Sequence, residues 1–148
     1  MANLTGPVLA ALIIAGSLGA AAPVITGDWQ GTYRSRPDRA SPDGTYQEAV
    51  NRFKLTLEAR GGAVSGRFEP VGTGLAQAQD IKNYGQFGRR HCFDITALDS
   101  SDMRWCLTVR RDSDSLVGTW NLGPQGGPAA GGLGIGARLY SVAATRVK

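Results

Sequence analysis

A short beat recurs along this chain, a glycine two residues before an aromatic ring, as in Gly27-Asp28-Trp29, Gly31-Thr32-Tyr33, Gly66-Arg67-Phe68, Gly85-Gln86-Phe87 and Gly118-Thr119-Trp120. Residues two apart in an extended strand point to the same face, so each glycine sits beside a large ring on one side of a sheet. Glycine relieves crowding where a strand bends and the ring fills the space, the combination needed where a sheet coils into a small barrel. The 21 glycines and seven prolines among 148 residues fit the same turn-rich, all-β architecture better than a helical bundle.

Three hairpins can be written with a register. Phe53, Leu55 and Leu57 alternate with polar residues, Arg60-Gly61 makes a two-residue turn, and Val64, Gly66 and Phe68 return. The expected pairs are Leu57 with Val64, Leu55 with Gly66 and Phe53 with Phe68. Pairing Cys92 with Cys106 puts Phe93 opposite Trp105 and Ile95 opposite Met103, with apolar partners on one face and the cysteines on the other. The two cysteines are therefore read as a structural disulfide, which fits an oxidising compartment better than reactive thiols or metal ligands. The alternation then runs on through Trp105, Leu107 and Val109, turns at Asp112-Ser113, and returns through Leu116, Gly118 and Trp120. Trp105 is expected beside Trp120. A last strand from about Ala137 to Val147 completes seven or eight strands in an antiparallel up-and-down barrel, with long loops at 36–44 and 123–136.

The first charged side chain is Asp28, and Pro7 to Gly19 reads PVLAALIIAGSLG, followed by Ala20, Ala21 and Ala22. An apolar run with small residues after it reads as an export signal cleaved near Ala21. No basic residue precedes the run, which keeps open an uncleaved membrane helix over Val8 to Thr26, with Gly16, Ser17 and Gly19 as a small-residue face. The expected division is thus a signal or anchor over residues 1–22, as an N-terminal hydrophobic helix, and one barrel domain over 26–148. The barrel is placed outside the cytoplasm, periplasmic or extracellular, free or tethered.

The Gly27-Asp28-Trp29 opening, the meandering strands and the basic last strand resemble the calycin architecture of lipocalins and avidins. The resemblance implies that Trp29 plugs one end of the barrel and that an arginine of the last strand, Arg138 or Arg146, lies across it. It does not extend to biotin, because Gln30 and Gly31 stand where the avidin pattern has an asparagine.

Catalytic patterns are sparse. His91 is the single histidine, so a two-histidine zinc motif is excluded, and between Arg90 and Cys92 it reads as a solvated strand end. Gly132-Leu133-Gly134-Ile135-Gly136 lacks the strand and helix that let a dinucleotide fingerprint hold a pyrophosphate. Asp112-Ser113-Asp114 and Asp99 to Asp102 read as hairpin turns, without the glycine and distal glutamate of a calcium loop. Glu58, Glu69, Asp94 and Asp28 are carboxylates that an enzyme could bring together, but spacing selects no pair. No catalytic residue, cofactor or metal is assigned.

The net charge of +4 is mild, with basic residues at Arg34, Arg36 and Arg39, at Arg89 and Arg90, and at Arg110 and Arg111. Nucleic acid is not an expected partner, because the aromatics occupy inward positions. Solvated strand ends account for most of these charges, and a modest attraction to anionic lipid or to an acidic protein face is the functional alternative. Two functions follow: a non-catalytic accessory or interaction subunit at a membrane, or a carrier with a small apolar ligand among Tyr33, Phe53, Phe68, Phe93, Trp105 and Trp120. An enzyme built on convergent carboxylates ranks third.

Overall fold

The computed structural model describes residues 25–36, 40–45, 47–122 and 139–148. Nine antiparallel strands form one sheet: β1 (Gly27–Ser35), β2 (Ala49–Arg60), β3 (Ala63–Val71), β4 (Gln79–Asp80), β5 (Lys82–Phe87), β6 (Arg90–Thr96), β7 (Asp102–Val109), β8 (Ser115–Leu122) and β9 (Tyr140–Arg146). Their order is β4-β3-β2-β1-β9-β8-β7-β6-β5, so the last strand returns to lie beside the first, and the sheet curls into a nearly closed barrel. The described residues contain no helix.

The count exceeds the expected seven or eight because one segment serves two partners. Residues 79–80 pair with β3, through Phe68 with Gln79 and Arg67 with Asp80, and from Lys82 onward the chain pairs with β6. The Gln79 side chain helps to close the seam: its Nε2 donates to the Thr96 carbonyl at 2.8 Å and its Oε1 accepts from the Thr96 amide at 2.6 Å. A side-chain amide thereby satisfies backbone groups that a neighbouring strand would otherwise meet. Ala76 and Ala97 add a bridge across the same seam.

The β6–β7 and β7–β8 registers follow the alternation. Cys92 faces Cys106, Phe93 faces Trp105 and Ile95 faces Met103, while Trp105 faces Trp120. The Cys92–Cys106 disulfide joins the two strands.

The β2–β3 register departs from expectation by two residues. Leu57 faces Gly66, Leu55 faces Phe68, and Val64 faces Ala59. The turn is Gly61-Gly62, not Arg60-Gly61, and both glycines hold positive φ, at 58° and 84°. That is the type I′ turn favoured in two-residue hairpins, and two adjacent glycines adopt it without a Cβ clash. A shift of two keeps every side chain on its predicted face.

Trp29, Tyr33, Phe53, Phe68, Phe93, Trp105 and Trp120 all lie inside, each no more than 3% exposed. Phe87 is the exception in the glycine-aromatic series. It is 61% exposed, because β5 is an edge strand with a bulge between Lys82 and Gly85, and its ring lies over Gly85 instead of in the core. Gly66 and Gly118 do not add spare interior volume. A Cβ on Gly118 would run into the Cys106 carbonyl and Leu107 Cα, so the glycine lets β7 and β8 approach closely.

Candidate functional site

The two ends of the barrel differ. At one end lie the tight β2–β3, β5–β6 and β7–β8 turns, the start of β1 and the end of β9. Trp29 is buried at this end. Its Nε1 donates to the Ile25 carbonyl at 2.7 Å, and the Arg146 guanidinium lies 4.2 Å from the ring centroid. The same guanidinium reaches the Thr26 carbonyl at 2.6 Å and the Ser113 carbonyl at 3.0 Å, tying the start of β1 to the β7–β8 turn. Of the two arginines considered for this role, Arg146 is the one over Trp29. Arg138 lies outside the described residues, as do residues 1–22, Arg39 and the 123–136 loop.

The other end carries the connections at 36–48, 72–78 and 97–101. A cleft of about 420 Å³ lies there, with Leu75, Leu98, Met103, Trp120, Leu122 and Tyr140 in its wall. Its floor is ordered from below. Trp120 stacks on Tyr140 with centroids 4.7 Å apart, and its Nε1 donates to the Arg34 carbonyl at 2.7 Å. The Tyr33 hydroxyl accepts from the Leu75 amide at 3.1 Å, pinning the 72–78 connection to the core. Burial raises the Tyr33 hydroxyl above the usual phenolic range, so it stays protonated. The rim is mixed: Leu98 and Leu122 are 60% and 53% exposed, and Arg36, Asp99 and Ser101 stand beside them.

The six rings considered as a ligand cavity do come together. Trp105 stands 5.1 Å from Tyr33, 5.2 Å from Phe53, 5.6 Å from Phe68 and 6.0 Å from Phe93 between centroids, and Tyr33 stands 6.1 Å from Trp120. At such separations the rings pack against one another. Trp105 Nε1 is buried within this cluster and has no hydrogen-bond partner among the described residues.

The rim residues escape a reading based on motifs, although one signal was present. Leu122 shares the inward parity of Leu116 and Trp120, so the apolar face of β8 continues past the barrel wall to the mouth. Leu98, inside the 97–101 turn, carries no such signal.

His91 is not the solvated strand end expected from its arginine neighbours. It is 5% exposed, because it shares the inward parity of Phe93 and Ile95. Burial lowers its imidazole below the ordinary value, and the Tyr84 hydroxyl lies 2.6 Å from Nδ1. The unfolded chain binds a proton more readily than the folded one, so stability falls as pH drops below about 6.5 and levels off beneath the folded value. Thermal melts from pH 7 to pH 5 should show this loss, and His91→Gln should flatten it. Equal slopes for the two proteins would exclude His91 as its source. Asp43, Asp99 and Asp112 are all held below the usual carboxylate range by hydrogen bonds, chiefly from Thr45, Ser101 and Ser115 hydroxyls, so their losses begin only in more acidic solution.

Of the four carboxylates considered, Glu58 and Glu69 line one outer-face cleft together, each paired with an arginine, whereas Asp94 and Asp28 lie elsewhere. Asp94 binds Arg104 at 3.2 Å, and Glu58 binds Arg60 at 3.2 Å. Glu69 and Asp80 share Arg67 at 3.7 and 3.3 Å along an outer-face cleft of about 510 Å³, and Asp28 faces outward from β1. Asp99 and Asp112 cap their own turns: Asp99 accepts from the Ser101 amide and hydroxyl, and Asp112 from the Asp114 and Ser115 amides and the Ser115 hydroxyl. Among the described residues no group of three or more His, Cys, Asp or Glu is placed to hold a metal ion.

No protein-family model, no curated protein and no solved structure matches this chain, so the functional reading rests on the barrel's own geometry.

Proposed function

We propose that this protein is a non-catalytic barrel of the exported compartment, tethered at or near a membrane, which acts as an accessory subunit through its open mouth. The observation that supports this reading most directly is the division of the molecule. Interior rings contact one another, Trp29 and Arg146 pack together at one end, and Leu98 and Leu122 are exposed at the other. Connections displayed on a rigid scaffold are where binding residues commonly sit. The disulfide fits an oxidising, exported environment. The contact of Arg146 with the Trp29 ring also supports the calycin-like reading, which implies an arginine of the last strand across that ring.

Native size analysis of protein extracted gently from its own membranes tests the proposal. The full chain should migrate in a larger assembly, and Leu98→Asp with Leu122→Asp should release it as a small species with an unchanged melting temperature. Migration as a small species before any substitution would overturn the accessory role.

A carrier of a small apolar ligand is the second reading, and Trp105 favours it. Its orphaned Nε1 sits among the rings, where a ligand bearing a hydrogen-bond acceptor would satisfy it. Quenching of the buried indoles by an apolar ligand, lost in Trp105→Phe, would support this reading; no change with any apolar probe would remove it.

A further inference from the structure

The closed end carries a charge pattern that the mouth does not explain. Arg89 and Arg90 stand at the β5–β6 turn, and Arg110 and Arg111 at the β7–β8 turn. Because His91 and Leu107 are register partners, these turns project side by side from adjacent hairpins. All four arginines are exposed, and Arg89, Arg90 and Arg111 have no ion-pair partner among the described residues. Most neighbouring acids are already engaged: Asp112 accepts the hydrogen bonds of its own turn, Asp114 pairs with Arg146 and Lys148, and Glu58 pairs with Arg60, while Asp28 faces outward at the start of β1 with no ion pair among the described residues. Phe87, the exposed aromatic of β5, is the register partner of Arg90 on this tip.

The chain enters the barrel at the same place. Thr26 and Ser113 are held together by the Arg146 guanidinium, so the residue next to the β1 start lies beside the β7–β8 turn. The sequence leading to it is uncharged from Met1 to Gly27 and strongly apolar from Val8 onward.

From these observations we infer that the closed tip is a docking surface for an anionic phospholipid bilayer, with the four arginines among the headgroups and Phe87 at the interface. Basic side chains gain from the negative surface potential of such a leaflet, by about fivefold in partitioning for each one close to it. An apolar ring beside them can enter the boundary between headgroup and acyl chain. The described chain begins at this same end, with Ile25 against Trp29, and docking here would leave the mouth directed away from the membrane. The inference shares the membrane placement of the proposed function but is independent of what the mouth binds.

The test uses full-chain Phe87→Trp with vesicles of brominated phosphatidylcholine, with or without phosphatidylglycerol. Trp29, Trp105 and Trp120 are at most 3% exposed, so a lipid-borne quencher reports chiefly on position 87. Quenching should be at least about twofold greater with phosphatidylglycerol, and that excess should vanish at about 1 M salt, where the Debye length is about 3 Å. It should also vanish when Arg89, Arg90, Arg110 and Arg111 are all replaced by glutamine, with the melting temperature held. Equal quenching in both lipids, or full quenching in the glutamine variant, would overturn the inference. Indifference to phosphatidylglycerol combined with arginine-dependent binding of soluble polyglutamate would assign the tip to an acidic protein instead. A failed lipid response in protein that still migrates in its native assembly would leave the accessory role intact.

Discussion

Trp29→Ala lowers the unfolding free energy by about 3–5 kcal/mol, the range for truncating a fully buried aromatic side chain. Three losses act together. The ring is 1% exposed, so its removal leaves a cavity at the closed end. The Ile25 carbonyl loses its indole donor, and Arg146 loses the ring face 4.2 Å from its guanidinium. Trp29→Phe separates these contributions, since it keeps most of the packing and removes only the hydrogen bond, at a cost of about 1 kcal/mol. Chemical denaturation gives both values. A loss below about 1 kcal/mol for the alanine variant would show that Trp29 does not hold the end of the barrel closed. The effect should be larger than that of any turn substitution at this end, because the ring connects the start of β1 to the last strand.

Removing the Cys92–Cys106 disulfide is the second large perturbation. The bond joins residues 14 apart in sequence, and a closed loop of about that length contributes about 3 kcal/mol by restricting the unfolded chain. Cys92→Ala combined with Cys106→Ala should therefore lower stability by about that amount while leaving the strand pairing intact. The hairpin retains Phe93 against Trp105 and Ile95 against Met103, and all four side chains stay in the core. Reducing agent should lower the melting temperature of the wild-type protein by the same margin and leave the double variant unchanged. Free thiols at both positions in protein isolated from its native compartment would contradict the pairing.

These two perturbations probe different kinds of information. The disulfide hairpin was legible in the sequence because its partners are local, its turn is short, and alternation fixes which side chain faces which. The same reasoning gave Trp105 beside Trp120, and it would have placed His91 inside had its parity with Phe93 been weighed above its charged neighbours. Where local chemistry admitted two turns, at Arg60-Gly61 or Gly61-Gly62, the faces came out correctly and the partners did not. A shift of two residues is invisible to alternation and is decided by backbone dihedrals.

By itself, then, the sequence determined an all-β chain, the inward aromatic faces, two hairpin registers and the cysteine pair, all of which depend on period-two patterning and near neighbours. Only the tertiary structure decided that Gln79 closes the seam onto Thr96, that Arg146 crosses Trp29, that Trp120 is anchored by the Arg34 carbonyl, and that two arginine turns share one tip. Each of these joins segments distant along the chain, and their meeting is set by how a twisted sheet coils and closes, a geometric condition on all the strands together that no single segment encodes.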